Sequence, residues 1–137
     1  MSIERVDIQP VMVLHTRPYR NTSLLVDVFS QQFGRVSLVA KSARGPRSRF
    51  QGQLQLFSPL LASWVGRHEL KTLTRLECAG VPYGLQGTAL LSGFYINELL
   101  MRLLDKEDAY VALFDRYRRT LSQLTVSDQV ATSLRYF

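Results

Sequence analysis

Apolar positions change their period once along this chain, near residue 80. Residues 9–17 open with Val11, Met12, Val13 and Leu14 and stop at Pro18, which has no amide hydrogen to give to a ladder. Residues 22–30 alternate, with Leu24, Val26 and Val28 on one face and Asp27 on the other. Gly34 then turns the chain. Residues 35–41 place Val36, Leu38 and Ala40 on one face and Arg35, Ser37 and Lys41 opposite, a half-buried strand with a basic outer side. Residues 54–65 form a longer apolar run broken by Pro59, and residues 70–78 resume β composition after the turn-like Gly66, Arg67 and His68. Five strands in the first 80 residues, each bounded by turn residues, predict a small barrel.

Gly80, Pro82, Gly84 and Gly87 punctuate a linker, after which the period becomes helical. Residues 88–104 carry one apolar row at Leu91, Tyr95, Leu99 and Leu103 and a second at Phe94, Ile96, Leu100 and Leu104. A helix apolar on nearly every side is expected to be buried. A second helix over about 108–124 has a stripe of Tyr110, Phe114, Tyr117, Leu121 and Leu124, with Arg116, Arg118 and Arg119 facing water. Ser127 is a candidate N-cap for a third, with Val130, Leu134 and Phe137 as its stripe. That stripe is still running at Phe137, so the helical part is expected to be incomplete. The prediction is an α+β chain, a barrel over residues 1–80 and the start of an α-helical domain over 81–137.

Charge adds a direction to this picture. The first 80 residues hold eleven Lys and Arg against five acids, whereas the remainder holds six of each, so the whole net charge of +6 lies on the predicted barrel. Such asymmetry favours a polyanionic partner there. With 46% hydrophobic and 20% charged residues, the composition is globular and leaves no room for a long disordered tract. Early charges at Glu4, Arg5 and Asp7 break any signal-type apolar run, and no apolar stretch reaches membrane-spanning length. Cys78 is the sole cysteine, which excludes an intrachain disulfide and a cysteine-built zinc site and fits a reducing cytoplasm.

The stretch from Lys41 to Phe50 is the richest in candidate chemistry. Lys41, Arg44, Arg47 and Arg49 lie among small residues, and no acid occurs between Asp27 and Glu69. Gly45 and Pro46 forbid a helix, so these bases sit on a loop leaving the third strand. Such a loop can follow a phosphate backbone and release its counterions, or it can be a solvated surface. Single-strand binding also needs rings on which bases stack. Phe50, in the loop, and Tyr19, between the first two strands, are the candidates for exposed stacking, while Trp64 is expected to be core. Arg35, Lys71 and Arg75 complete the candidate DNA-binding set. No catalytic residue is assigned, because the chain has no nucleophile elbow, carboxylate pair or Gly-rich nucleotide loop. His15 reads as a satisfied strand residue, Cys78 as an inert small hydrophobe, and Asp105, Glu107 and Asp108 as acids at a helix junction. Neither a metal nor another cofactor is expected.

Three runs carry a resemblance: Val13 to Tyr19, Thr22 to Phe29, and Gly34 to Arg44. Together with Leu70-Lys71-Thr72-Leu73 and Ser92-Gly93-Phe94-Tyr95-Ile96-Asn97-Glu98-Leu99-Leu100, they make the chain resemble the RecO family of recombination mediators. The resemblance implies an oligonucleotide-binding barrel followed by a helical domain, with binding and annealing of DNA, single- and double-stranded, and no nucleotide hydrolysis. It also implies RecR, RecA and the acidic C-terminal tail of single-stranded DNA-binding protein as partners. Part of the helical region expected to hold that tail is absent from this chain, as are the cysteines of the zinc site that some members carry. The same loop and rings would also serve a protein-tail adaptor or an RNA-binding barrel; an enzyme fits least.

Overall fold

The computed structural model describes residues 4–45, 47, 48, 50, 52–105 and 109–125. Its elements are β1 (Glu4–Tyr19), β2 (Ser23–Ser30), β3 (Gly34–Ala40), β4 (Leu60–Gly66), β5 (Leu70–Cys78), α1 (Thr88–Leu103) and α2 (Val111–Leu124). The strands close a barrel in the order β1-β2-β3-β5-β4. Every pairing is antiparallel except β3 with β5, where Ser37, Leu38 and Val39 face Leu70, Lys71 and Thr72. The α+β class and the five-stranded oligonucleotide-binding barrel are those expected. The third helix expected from Ser127 lies outside the described residues.

β1 closes the barrel because it is long enough to serve two neighbours. Its first half pairs with β4 from Glu4 to Val11, and its second half pairs with β2 from Val11 to Tyr19. Pro18 does not end the strand; it sits opposite Leu24, one residue before the end. Pro59 does break the run expected over 54–65, and β4 begins only at Leu60.

Apolar residues on both faces of β1 and β2 are buried, which explains the unbroken run from Val11 to Leu14. Val11, Val13, Val26 and Val28 point into the barrel with Val36, Leu38, Leu60, Trp64 and Leu73. Met12, Leu14 and Phe29 point outward and join Phe57, Leu85, Ile96, Leu100, Phe114, Tyr117 and Leu121 in a second core under the helices. Phe29 meets Phe114 edge to face, with centroids 5.1 Å apart, a favoured aromatic geometry.

A bulge joins these two cores. Between Val13 and His15 the register of β1 slips, leaving Leu14 as the extra residue. Its carbonyl accepts a hydrogen bond from Asn97 Nδ2 of α1 at 3.3 Å, and Asn97 Oδ1 accepts one from the Tyr117 hydroxyl of α2 at 2.5 Å. Asn97 and Tyr117 are both buried, so each satisfies polar atoms that water cannot reach. Burial away from water raises the Tyr117 hydroxyl pKa above the usual tyrosine value, outweighing the opposing hydrogen bond to Asn97.

α1 packs through one face only: Ala89, Ser92, Gly93, Ile96, Asn97 and Leu100 are buried. The expected all-round burial is not observed. Leu91, Tyr95 and Leu103 are 68%, 58% and 73% exposed, because the barrel and α2 cover only the opposite side. At Gly93 the helix approaches so closely that an added Cβ would lie 2.8 Å from both Leu85 Cδ1 and Phe57 Cζ. α2 buries Phe114, Tyr117, Leu121 and Leu124 as its stripe predicts, while Arg116, Arg118 and Arg119 are exposed.

Gly93→Ala should therefore lower stability to urea. Overpacking costs about 1–3 kcal/mol, more than the roughly 1 kcal/mol gained in helix propensity; unchanged or higher stability would mean the seam has slack. The raised Tyr117 pKa gives a second test. The folded state holds that proton, so its contribution is complete below about pH 10, the unfolded tyrosine value, and declines as pH rises above it. Urea titrations from pH 8 to 11 should show this alkaline loss in the native chain and a shallower one in Tyr117→Phe. That variant should also be less stable at pH 8 by about 1–3 kcal/mol, since Asn97 Oδ1 loses its donor.

Candidate nucleic-acid interface

The bulge that exposes the Leu14 carbonyl also resets the alternation of β1. Before it, Met12 faces outward; after it, His15, Arg17 and Tyr19 stand opposite Asp27, Leu25 and Ser23 on the outer face. Thr16 and Pro18 instead stand opposite Val26 and Leu24 of the interior row. An open sheet surface results, made of the ends of β1, β2 and β3 and the start of β5.

Two grooves lie along this surface. One, of about 490 Å³, is lined by Tyr19, Arg20, Ser23, Val39, Lys41, Ser42, Leu70 and Thr72. The other, of about 360 Å³, runs under α1 and is lined by His15, Arg17, Leu25, Asp27, Arg35, Ser37, Glu98, Met101 and Arg102. Leu25 and Val39, paired across β2 and β3, separate them.

Arg17, Arg20, Lys41 and Arg47 are exposed and able to meet phosphates. Arg20 takes a left-handed backbone, φ 55°, in the β1–β2 turn and lays its guanidinium over the Tyr19 ring, 5.4 Å from the centroid. Tyr19 is thus half-buried and partly covered, and a base stacking on that face must displace Arg20. Arg44, although exposed, is engaged. Its guanidinium donates to the carbonyls of Arg20 and Asn21, and its backbone amide donates to Thr22 at 2.9 Å. It fastens the basic loop to the strained turn.

Several expected contacts lie elsewhere. Phe50 is not exposed: it is 3% accessible and plugs the barrel interior with Trp64 and Leu38. Lys71 is also 3% accessible, because the alternation of β5 sets it on the inner side with Leu73, opposite Leu38. Its ammonium reaches Glu4 Oε2 at 3.2 Å and the Gly66 carbonyl at 3.4 Å. Arg35 is largely covered, donating to the Leu104 carbonyl at the end of α1 and lying 3.8 Å from Asp27 Oδ1. Arg75 is exposed but paired with Glu77 on the β4 side of the barrel, away from both grooves. Arg49 lies outside the described residues. Trp64 is core as expected, whereas Cys78 is exposed and not an apolar core residue.

The grooves also hold Arg17, Arg20 and Arg102, which the candidate set lacks, and Arg102 is paired with Glu98 at 3.0 Å. The first two flank Tyr19 in sequence and could have been noticed; Arg102 comes from the helical segment and carries no sequence signal toward the barrel.

The family models match along this architecture: Recombination protein O N terminal over residues 6–81, and Recombination protein O C terminal over residues 85–137. The chain belongs to the RecO family. It is 51% identical over 134 residues to the DNA repair protein RecO of Coxiella burnetii (strain CbuG_Q212), covering 98% of this chain and 58% of the relative. It is 52% identical over 134 residues to that of Aromatoleum aromaticum, covering 98% and 56%, and 50% identical over 133 residues to that of Ralstonia nicotianae, covering 97% and 49%. The chain thus spans about half to three-fifths of these RecO proteins. Among its described residues, no helix is long and apolar enough to cross a membrane.

Arg44→Ala and Arg47→Ala should separate support from contact. Loss of Arg44 removes hydrogen bonds that hold the turn and should lower stability by about 1 kcal/mol, a charged hydrogen bond discounted for exposure. It should also speed amide exchange in the loop. Loss of Arg47 should change neither. Equal behaviour of the two variants in urea and hydrogen exchange would remove the supporting role of Arg44.

Proposed function

We propose that this chain is the DNA-binding part of a recombination mediator, which holds single strands on the outer face of the barrel and aligns complementary ones for annealing. The observation that carries this reading is that exposed Arg17, Arg20 and Lys41 line two grooves on the β1–β3 face, with Arg47 exposed on the loop that leaves β3. In oligonucleotide-binding barrels this face and the loops at its ends engage nucleic acid, and cationic grooves with rings suit strands bound without strict sequence choice. The proposed division of labour places DNA contact on the barrel of residues 1–80 and support on the helical segment of 81–137.

The action is binding and alignment, with no bond made or broken, so neither metal nor nucleotide is required. Double-stranded product, RecR, RecA and the tail of single-stranded DNA-binding protein are the partners that family membership suggests for the mediator as a whole.

Four exposed cations on one strand, at roughly −0.7 per neutralised phosphate, give a slope of log K against log salt of about −2.8. Titration with a labelled single strand over a salt series measures it. A flat response would remove the electrostatic basis of the proposal. Annealing of complementary strands precoated with single-stranded DNA-binding protein should proceed in EDTA without ATP, and loss of annealing under either condition would point to chemistry instead of alignment.

A further inference from the structure

The two grooves on the open face differ in what their cations meet. Under α1, Arg35 lies 3.8 Å from Asp27 Oδ1 and Arg102 lies 3.0 Å from Glu98 Oε1, so both are compensated within the groove. The groove beside Tyr19 has no acid among the described residues that line it. Its two cations, Arg20 and Lys41, are exposed, and neither has an ion pair among the described residues. Uncompensated cations on one concave surface attract an anion.

A phosphate alone leaves the rest of this lining without a use. Leu70 is 37% exposed at the start of β5, and Val39, opposite Thr72 in the parallel pair, belongs to neither core and faces the same groove. With the Tyr19 ring they form apolar surface beside the cations, in a volume of about 490 Å³, within the roughly 300–1,000 Å³ typical of small-molecule sites. One nucleotide of a single strand supplies both a flat base and a phosphate, whereas the carboxylates of an acidic peptide supply only the charge. The ring is covered by the Arg20 guanidinium, 5.4 Å from its centroid. That cover can leave without moving the turn, because Arg44 holds the Arg20 backbone at φ 55° by donating to its carbonyl at 2.6 Å. On the reading that this face holds a single strand, we infer that the Tyr19 groove is a base subsite opened by exchange. A base takes the place of the Arg20 guanidinium on the Tyr19 ring, and the released guanidinium joins Lys41 at the phosphate. The exchange is favourable because a base stacked on a ring is held more strongly than a solvated cation over it.

Oligothymidine and an abasic strand of equal length carry the same phosphates and differ only in their bases. Titrated at moderate salt into the full chain, the thymidine strand should bind about fivefold or more tightly, the lower end of stacking by one base. Tyr19→Leu should bring the two affinities close together, and Tyr19→Phe, which keeps the ring, should preserve their ratio. Arg20→Gln should also preserve the ratio, while the slope of log K against log salt becomes shallower by about 0.7, the loss of one phosphate contact. Equal affinities in the native chain, or an undiminished ratio in folded Tyr19→Leu, would overturn the base subsite while leaving the single-strand reading intact. An unchanged slope in Arg20→Gln would overturn the exchange. Oligoglutamate that displaces the thymidine strand better than the abasic strand does would make the groove a peptide site and overturn the inference. Failure of both strands to bind would overturn the single-strand reading and the inference with it.

Discussion

The hydrogen bond from Asn97 to the Leu14 carbonyl is the point on which the barrel and the helices depend together. A bulge turns one backbone acceptor out of a ladder, and a buried acceptor must find a donor. α1 provides it with a side chain whose other end is held by Tyr117 of α2, so one polar chain of three residues ties β1, α1 and α2 through an otherwise apolar seam. Packing alone is tolerant of sliding. A buried amide with one donor and one acceptor partner sets the register of helix on strand, while Gly93 permits the approach that brings Asn97 into reach.

The same bulge decides what the barrel shows to solvent. Without it, the alternation that sends Met12 outward would continue to Thr16 and Pro18, and Arg17 and Tyr19 would point into the barrel interior. With it, a basic and aromatic edge stands on the outer face next to β2 and β3. The open basic face and the seam between barrel and helices are therefore two consequences of one irregularity. Arg44 then stiffens the end of that surface by holding the β1–β2 turn, and Arg35 ties its other end to the carbonyl that closes α1.

The basic loop was legible from its composition, and Lys41 and Arg47 are exposed as that composition suggests. Phe50 and Lys71 depart from expectation for a shared reason: residue type does not report which way a side chain faces. A ring in a polar loop can fold back to plug a barrel, and a lysine two residues before a buried leucine in a strand shares its inner face. Lys71 could have been recognised from that period, since Leu73 is core. For Phe50 no local signal exists, because what buries it is the interior row of the barrel.

By itself the sequence determined the element types, the α+β order, the barrel and the side on which the net charge lies. These follow from short-range patterns: period two against period three and a half, turn residues, and counts of charge. It also carried the run from Tyr95 to Leu100 that marks the family. The tertiary structure alone decided where the local pattern is interrupted and which of two apolar faces is covered. The bulge at Leu14, the burial of Phe50 in the barrel, the one-sided burial of α1 and the placing of Arg102 and Arg17 around one groove all depend on residues far apart in the chain. Such contacts are set by strand register and by packing of one element on another, and a pattern local to one element does not encode the position of its neighbour.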